Sequence, residues 1–233
     1  MNQARVIKRA LVLFSGGQDS VTCLYWALAR FEQVYAISFD YGQRHCIELK
    51  CAQELCAEES IPWTLVELSF LNNLNANALT QESEAIVKEG TYKNLPSTFV
   101  PGRNILFLSV AASWALPRGI SDIVIGACET DYSGYPDCRD AFMRKMEASL
   151  GAGLDAELKI HTPLMFLTKG QTFQLAQKLG QLKNVIEKSH TCYRGDRENF
   201  NEWGYGCGEC PACELRKKGF EDFKNLERLS VYG

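Results

Sequence analysis

Residues 11–20, LVLFSGGQDS, constrain the chain more than any other stretch. An apolar run stops at Ser15-Gly16-Gly17, and a helical pattern starts at once, with Val21, Leu24, Tyr25 and Leu28 on one face. Glycines let a backbone come close to a ligand and take positive φ. Free N–H groups at the start of a helix, together with its dipole, favour an anion. Ser15 and Ser20 add hydroxyl donors. Asp19 is the odd member, because a carboxylate repels phosphate; it fits if a Mg²⁺ lies between the two. Neither G-x-G-x-x-G nor G-x-x-x-x-G-K-[ST] is present, and two glycines alone would also suit a tight turn.

Strand and helix alternate along the rest of the chain. Strands are predicted at 9–14, 34–39, 63–68 and 122–128 and within 158–166. Helices are predicted at 18–30, 43–59, near 70–79, at 104–116 and 137–149, and from a Thr168 cap through Leu179, where Gly180 stops the helix. The charged ELRKKGFEDF near the end also reads as helix. The 104–116 helix is apolar nearly all round, which predicts full burial. The polar, irregular stretch 69–101 is long for a loop and is the candidate lid. This alternation predicts an α/β fold: a doubly wound parallel sheet with helices on both faces and ligands at the carboxyl ends of its strands.

At 233 residues and 46% hydrophobic, the chain suits one domain with a small appendage. Its 25 basic and 28 acidic residues give a net charge of −3, unlike the strong excess of a basic nucleic-acid binder. No run approaches the roughly 18–20 apolar residues of a membrane span. The start, MNQARVIKRALVLF, looks superficially like a secretion signal, but SGGQDS breaks its apolar run and no small-residue cleavage site follows. The expected location is the cytoplasm.

Ten cysteines in a cytosolic chain point to metal ligation or buried thiols. Cys192, Cys207, Cys210 and Cys213 crowd together, with CGEC and CPAC sharing Cys210. Four thiolates on such turns fill the tetrahedral sphere of a structural Zn²⁺. An Fe–S cluster takes the same four. His190 reads as a surface or hydrogen-bonding residue, not a ligand.

Two further segments carry chemistry. TFVPGRNILFLS, 98–109, sets Arg103, a fork for phosphate or carboxylate, at a helix entry. GACETDYSGYPDCRDAF, 126–142, packs Glu129, Asp131, Asp137 and Asp140 beside Tyr132, Tyr135 and Arg139. Carboxylates accept from a guanine-like edge, and tyrosines stack on a flat ring. Composition alone leaves the alternatives of a helix-entry turn and a solvated acidic turn open. Cys128 and Cys138 border this segment, where a covalent thioimidate is conceivable and a buried thiol is commoner.

The S-G-G-x-D-S stretch after the first strand resembles the PP-loop ATP pyrophosphatases. FSGGQDS, FDYGQRH, TFVPGRNILFLS, GACETDYSGYPDCRDAF, TPLM and TCY…CGECPAC together resemble the 7-cyano-7-deazaguanine synthases, the nitrile-forming family of queuosine biosynthesis, from about Arg9 to Arg216. The 14 residues between Cys192 and Cys207 are more than that family usually carries. The resemblance implies an adenine nucleotide alpha hydrolase-like, Rossmann-like sheet. Residues 1–188 would form the ATP-binding domain, and 189–233 a zinc-binding segment packed on it. It implies a ligase that takes 7-carboxy-7-deazaguanine and ammonia to the nitrile through adenylated acid and amide, with ATP, Mg²⁺ and structural Zn²⁺.

Residue by residue, the resemblance assigns ATP to Phe14, Ser15, Gly16, Gly17, Gln18, Asp19, Ser20, Val21, Thr22, Cys23 and Leu24. It gives catalytic roles to Asp19 and Arg103, and the metal to Cys192, Cys207, Cys210 and Cys213. Asp131, Tyr132 and Arg139 would meet the base. A homodimer is implied, with no direct nucleic-acid or membrane contact. The rivals are a PP-loop enzyme acting on tRNA or on another carboxylate, and a non-enzymatic zinc module.

Overall fold

The computed structural model describes residues 7–42, 46–70, 99–130 and 134–231. Its main sheet has five parallel strands in the order β3-β2-β1-β4-β5. Here β1 is Arg9–Leu13, β2 Gln33–Asp40, β3 Trp63–Glu67, β4 Asp122–Val124 and β5 Lys159–His161. A central parallel strand is covered on both faces and reads as a continuous apolar run. RALVL of β1 does so, and Leu11 sits level with Tyr35 of β2 and Ile123 of β4.

Side chains alternate across that sheet. Ala10, Val12 and Phe14 face one helical layer, and Leu11 and Leu13 face the other. The first layer holds α1 (Gln18–Leu28), α2 (Ile47–Glu58), α5 (Lys169–Lys178), α6 (Leu182–Lys188) and the long α7 (Pro211–Val231). The second holds α3 (Arg103–Ala115) and α4 (Asp140–Leu154). The doubly wound parallel sheet expected from the sequence is the observed fold.

Two helices differ from expectation in what they bury. On α1, Leu28 is 37% exposed, while Val21, Leu24 and Tyr25 are buried together with Cys23 and Ala27. The α3 helix is not buried all round. It lies on the outside of the sheet, burying Leu108, Ala111, Ala112 and Ala115 and leaving Ile105 45% exposed.

The strand expected at 122–128 stops at Val124. Beyond it the chain bends over the start of α1, so that a Cβ on Gly126 would lie 3.3 Å from Asp19 Cβ. The 137–149 helix begins at Asp140, after a 3-10 turn at Pro136–Cys138. Thr168 caps α5 in a capping box with Gln171, as its spacing predicts. The expected helix near 70–79, and the candidate lid apart from its ends, lie outside the described residues.

The C-terminal helix belongs to the main core. Phe220 and Phe223 of α7 meet Phe173 of α5 at ring-centroid distances of 5.3 and 6.1 Å. The crossing is tight because Gly219 lacks a side chain; a Cβ there would come within 2.5 Å of Lys169 Cβ. Between Cys192 and Cys207 in sequence, β6 (Phe200–Asn201) and β7 (Gly204–Tyr205) form a two-stranded antiparallel hairpin.

Candidate active site

Strand order reverses between β1 and β4, and a crevice at the carboxyl ends of such strands is where doubly wound sheets bind ligands. The glycine loop leaves β1 at that point. Gly16 has φ +86°, and a Cβ there would sit 2.1 Å from the Glu48 carbonyl oxygen of α2. Only glycine fits both conditions. Gly17 is the N-cap of α1. Ser20 Oγ accepts from Gly16 N–H at 3.1 Å, and Ser15 Oγ accepts from Gly17 N–H at 3.2 Å. The turn is thus held open by hydroxyls before any ligand arrives.

Of the residues assigned to ATP, Ser15 is exposed and Asp19 half-buried beside it. Phe14, Val21, Cys23 and Leu24 direct their side chains into the core, and Thr22 Oγ1 bonds back to the Gln18 carbonyl at 2.9 Å. The structure does not bring these five side chains to the loop surface; they support it from behind. Gln18 Nε2 and Asp19 Oδ1 are buried and make no hydrogen bond among the described residues. An acceptor-only oxygen in that position suits a cation.

The other oxygen of Asp19 is occupied. Lys169 Nζ lies 2.5 Å from Asp19 Oδ2, largely shielded from solvent. Lys169 opens α5. The segment leading to it is tied to the loop after β4: Glu129 N–H donates to the Met165 carbonyl at 2.9 Å, and Thr130 Oγ1 donates to the Leu167 carbonyl at 2.6 Å. The Cys128 thiol lies 3.2 Å from that same carbonyl. A lysine therefore does stand at this phosphate-type loop, delivered from 150 residues away.

Arg103 begins α3, after Gly102 at φ +78°. It donates to the Tyr41 hydroxyl, and its guanidinium carbon is 5.8 Å from that ring's centroid. Burial pulls the guanidinium down, but Tyr41, Tyr135, Cys138 and Asp137 around it outweigh that, so it stays firmly charged. Asp137 is buried and caps α3: its carboxylate accepts from Asn104 N–H at 3.2 Å, and its carbonyl accepts from Asn104 Nδ2 at 3.1 Å. Glu129 accepts from Asp140 N–H at 3.2 Å, at the start of α4, and Asp140 pairs with Arg144. Two carboxylates of the 126–142 segment, Asp137 and Glu129, thus serve helix starts. Asp131 and Tyr132 lie outside the described residues, and Arg139 is an exposed residue at the start of α4.

Glu48 was not singled out by sequence reasoning. It stands in the first turn of α2, and its Oε1 would be 3.7 Å from a Cβ on Gly17. Burial, with Asp19 reinforcing and Arg103 opposing, pushes its carboxyl up to about 7. It lies within the helix expected at 43–59, which among the described residues runs Ile47–Glu58, and no spacing marked it as part of the loop's surroundings.

The four cysteines of the C-terminal region converge. Their sulphurs lie within 4.8 Å of one another, with Cys207–Cys213 at 3.9 Å and Cys192–Cys210 at 4.0 Å. Zn–S bonds of about 2.3 Å in a tetrahedron need S···S edges of about 3.8 Å, so the set could hold such an ion. A backbone N–H points at one of the sulphurs, as a thiolate requires: Cys210 N–H donates to Cys207 Sγ at 3.4 Å.

This centre is not remote from the loop. His190, 1% exposed rather than on the surface, donates its N–H to the Gly16 carbonyl at 3.0 Å. Arg216, fully buried three residues after Cys213, donates to Thr191 Oγ1 at 2.7 Å and to the Val185 carbonyl at 3.0 Å. Burial draws Arg216 down to about 10, with Asp19 and Cys213 opposing that fall.

The model of the family "Queuosine biosynthesis protein QueC" matches residues 9–224. A 7-cyano-7-deazaguanine synthase of Helicobacter pylori (strain Shi470) is 46% identical over 219 residues, 93% of this chain and 97% of that one. One from Burkholderia cenocepacia (strain HI2424) is 47% identical over 234 residues, covering 95% of each. Among solved structures, a predicted subunit of tRNA methyltransferase from Methanocaldococcus jannaschii is 17% identical, with TM-score 0.50 over 73% of this chain and 74% of that one. A 4-thiouridine synthetase in complex with RNA and bound ATP is 16% identical, with TM-score 0.50 over 97% of this chain and 54% of that one. At such identities these structures share the fold alone. The unbroken match from β1 into α7, with relatives of equal length, shows that this chain belongs to the family of the queuosine biosynthesis protein QueC.

Proposed function

We propose that the chain is an ATP-dependent carbon–nitrogen ligase that converts 7-carboxy-7-deazaguanine and ammonia to 7-cyano-7-deazaguanine. The observation that carries this reading is the near-full-length identity with proteins named for that nitrile, at 46% and 47%. The crevice supports it. A carboxylate is a poor electrophile, because its charge repels nucleophiles and its oxygen leaves badly. Adenylation cures both faults. Ammonia then displaces AMP to give the primary amide, and a second adenylation on the amide oxygen lets AMP leave with loss of a proton.

Each residue has a part. The N–H groups of the 15–20 loop hold the departing pyrophosphate, with Lys169 adding positive charge. Asp19 offers its unpartnered Oδ1 to Mg²⁺. Arg103 receives the acid's carboxylate or the α-phosphate, and Asp131, Tyr132 and Arg139 lie in the segment read as contacting the base. Residues 69–101 exclude water from the acyl adenylate, which would otherwise hydrolyse. Residues 189–233 form the metal segment on the 1–188 domain, with Zn²⁺ as a structural ion held by Cys192, Cys207, Cys210 and Cys213. A homodimer working in the cytoplasm without direct nucleic-acid contact completes the proposal.

The test is direct. Purified protein is incubated with ATP, Mg²⁺, ammonium and the deazaguanine acid, and the products are weighed by mass spectrometry. The nitrile with two AMP and two pyrophosphate per turnover is expected. ADP in place of AMP, or turnover that needs tRNA and ignores the acid, would overturn the reading.

A further inference from the structure

Thr130 ends the loop after β4, just before the 131–139 segment read as meeting the base, and the chemistry above gives it no part. Its hydroxyl donates to the Leu167 carbonyl at 2.6 Å. The Cys128 thiol lies 3.0 Å from that hydroxyl and 3.2 Å from the same carbonyl. Between the two, Glu129 N–H donates to the Met165 carbonyl at 2.9 Å. Three consecutive residues thus grip the stretch 165–167, which runs straight into Thr168, the cap of α5. The peptide joining Leu167 to Thr168 is held at both ends. Its carbonyl accepts from Thr130, and its N–H donates to Gln171 Oε1 at 2.9 Å. A planar peptide gripped in this way has little freedom to swing, and Lys169 is the next residue.

The same loop touches the partner of that lysine. A Cβ on Gly126 would lie 3.3 Å from Asp19 C, Asp19 Cβ and Ser20 N, so the backbone at residue 126 leans directly on the start of α1. Residues 126–130 therefore bear on both members of the Asp19–Lys169 pair, on one directly and on the other through the start of α5. A charge-assisted hydrogen bond of 2.5 Å tolerates little displacement of either helix start.

We propose that Thr130 is a positioning residue for the adenylation chemistry: through the Leu167 carbonyl, and supported by Cys128, it fixes the start of α5 so that Lys169 stays beside Asp19 and the departing pyrophosphate. This rests on the ligase reading above. Residues 131–139 continue from Thr130, so the segment read as meeting the base and the lysine read as meeting phosphate share one anchor.

The experiment compares Thr130→Val, Thr130→Ser and Thr130→Ala with the unmodified chain, and places Thr130→Val in a Lys169→Met background as well. kcat, KM for ATP and KM for the acid are measured for each. Thr130→Val keeps the shape and removes the donor. It should lower kcat about 10-fold: misplacing a catalytic group by about 1 Å can cost about 100-fold, and the Glu129–Met165 bond limits the displacement. Both KM values should stay within about twofold, because the lysine acts on charge that develops in the transition state. Thr130→Ser should restore kcat. Thr130→Ala should repeat the loss even if Thr130→Val does not fold. With Lys169→Met in place, Thr130→Val should change kcat by less than about twofold, since a positioning residue then has nothing to position. An undiminished kcat in Thr130→Val and Thr130→Ala, a Thr130→Ser variant as slow as Thr130→Val, or an equal loss in the Lys169→Met background overturns the proposal. Failure of the unmodified chain to make nitrile would instead overturn the reading beneath it.

Discussion

Lys169 Nζ and Asp19 Oδ2 meet at 2.5 Å, joining the first turn of α5 to the first turn of α1. Both helix starts project positive dipole ends into the crevice, so a buried ion pair there keeps an acidic group where anions are to bind. Lys169→Met should lower kcat about 100-fold, the scale of losing one preorganised charge from a transition state. Asp19→Ala should abolish turnover. Bound metal, read by elemental analysis, should stay constant in both, because neither residue belongs to the four-cysteine set.

Gly219 is where the C-terminal helix sets the position of that lysine. Gly219→Ala should cost about 1–3 kcal/mol in urea denaturation, the usual penalty for forcing atoms into a filled crossing. It should also lower kcat, since the contact it pushes on is Lys169 Cβ. Full stability with full activity would show that the crossing has slack.

The carboxyl of Glu48, pushed up to about 7 by burial, makes stability depend on pH. Between its unfolded value of about 4.3 and about 7, the folded chain holds a proton that the unfolded chain has lost. Its contribution is therefore full below pH ~4 and fades as pH rises through about 7. Glu48→Gln, which stays neutral, should be more stable than the unmodified chain by about 1–2 kcal/mol at pH 8 and equal to it near pH 4. Denaturant midpoints across that range check the sign.

Cys210→Ser should lose the metal and fold poorly, because a structural metal site supplies folding free energy. The expected result is less than one equivalent of metal and a lowered thermal midpoint. Chelation of the unmodified chain should move the midpoint the same way. A fully folded Cys210→Ser variant would mean that the hydrophobic packing of Trp203 and Phe220 around the cluster suffices by itself.

Much of this was legible from residues alone. Strands such as β1 and β2 are apolar on both faces, which only a central parallel sheet demands. The loop at Gly16 and the spacing of Cys207, Cys210 and Cys213 are local, so their geometry is written in neighbouring residues. What escaped is long-range. Lys169 meets Asp19 only after the chain has crossed the sheet, and Glu48 comes beside Gly17 from α2. No spacing encodes such meetings. The carboxylates of 126–142 looked like a binding surface, yet Asp137 and Glu129 are engaged by the starts of α3 and α4. The short α6 and the β6–β7 hairpin are too brief to carry a periodic signal.

The bond from His190 N–H to the Gly16 carbonyl has a consequence for synthesis on the ribosome. A nascent chain emerges with its glycine turn first and the brace for that turn nearly last. Until residue 190 has cleared the exit tunnel, the turn lacks both its brace and, until shortly before, Lys169. A polypeptide that ends short of residue 190 therefore carries the glycine turn without that brace.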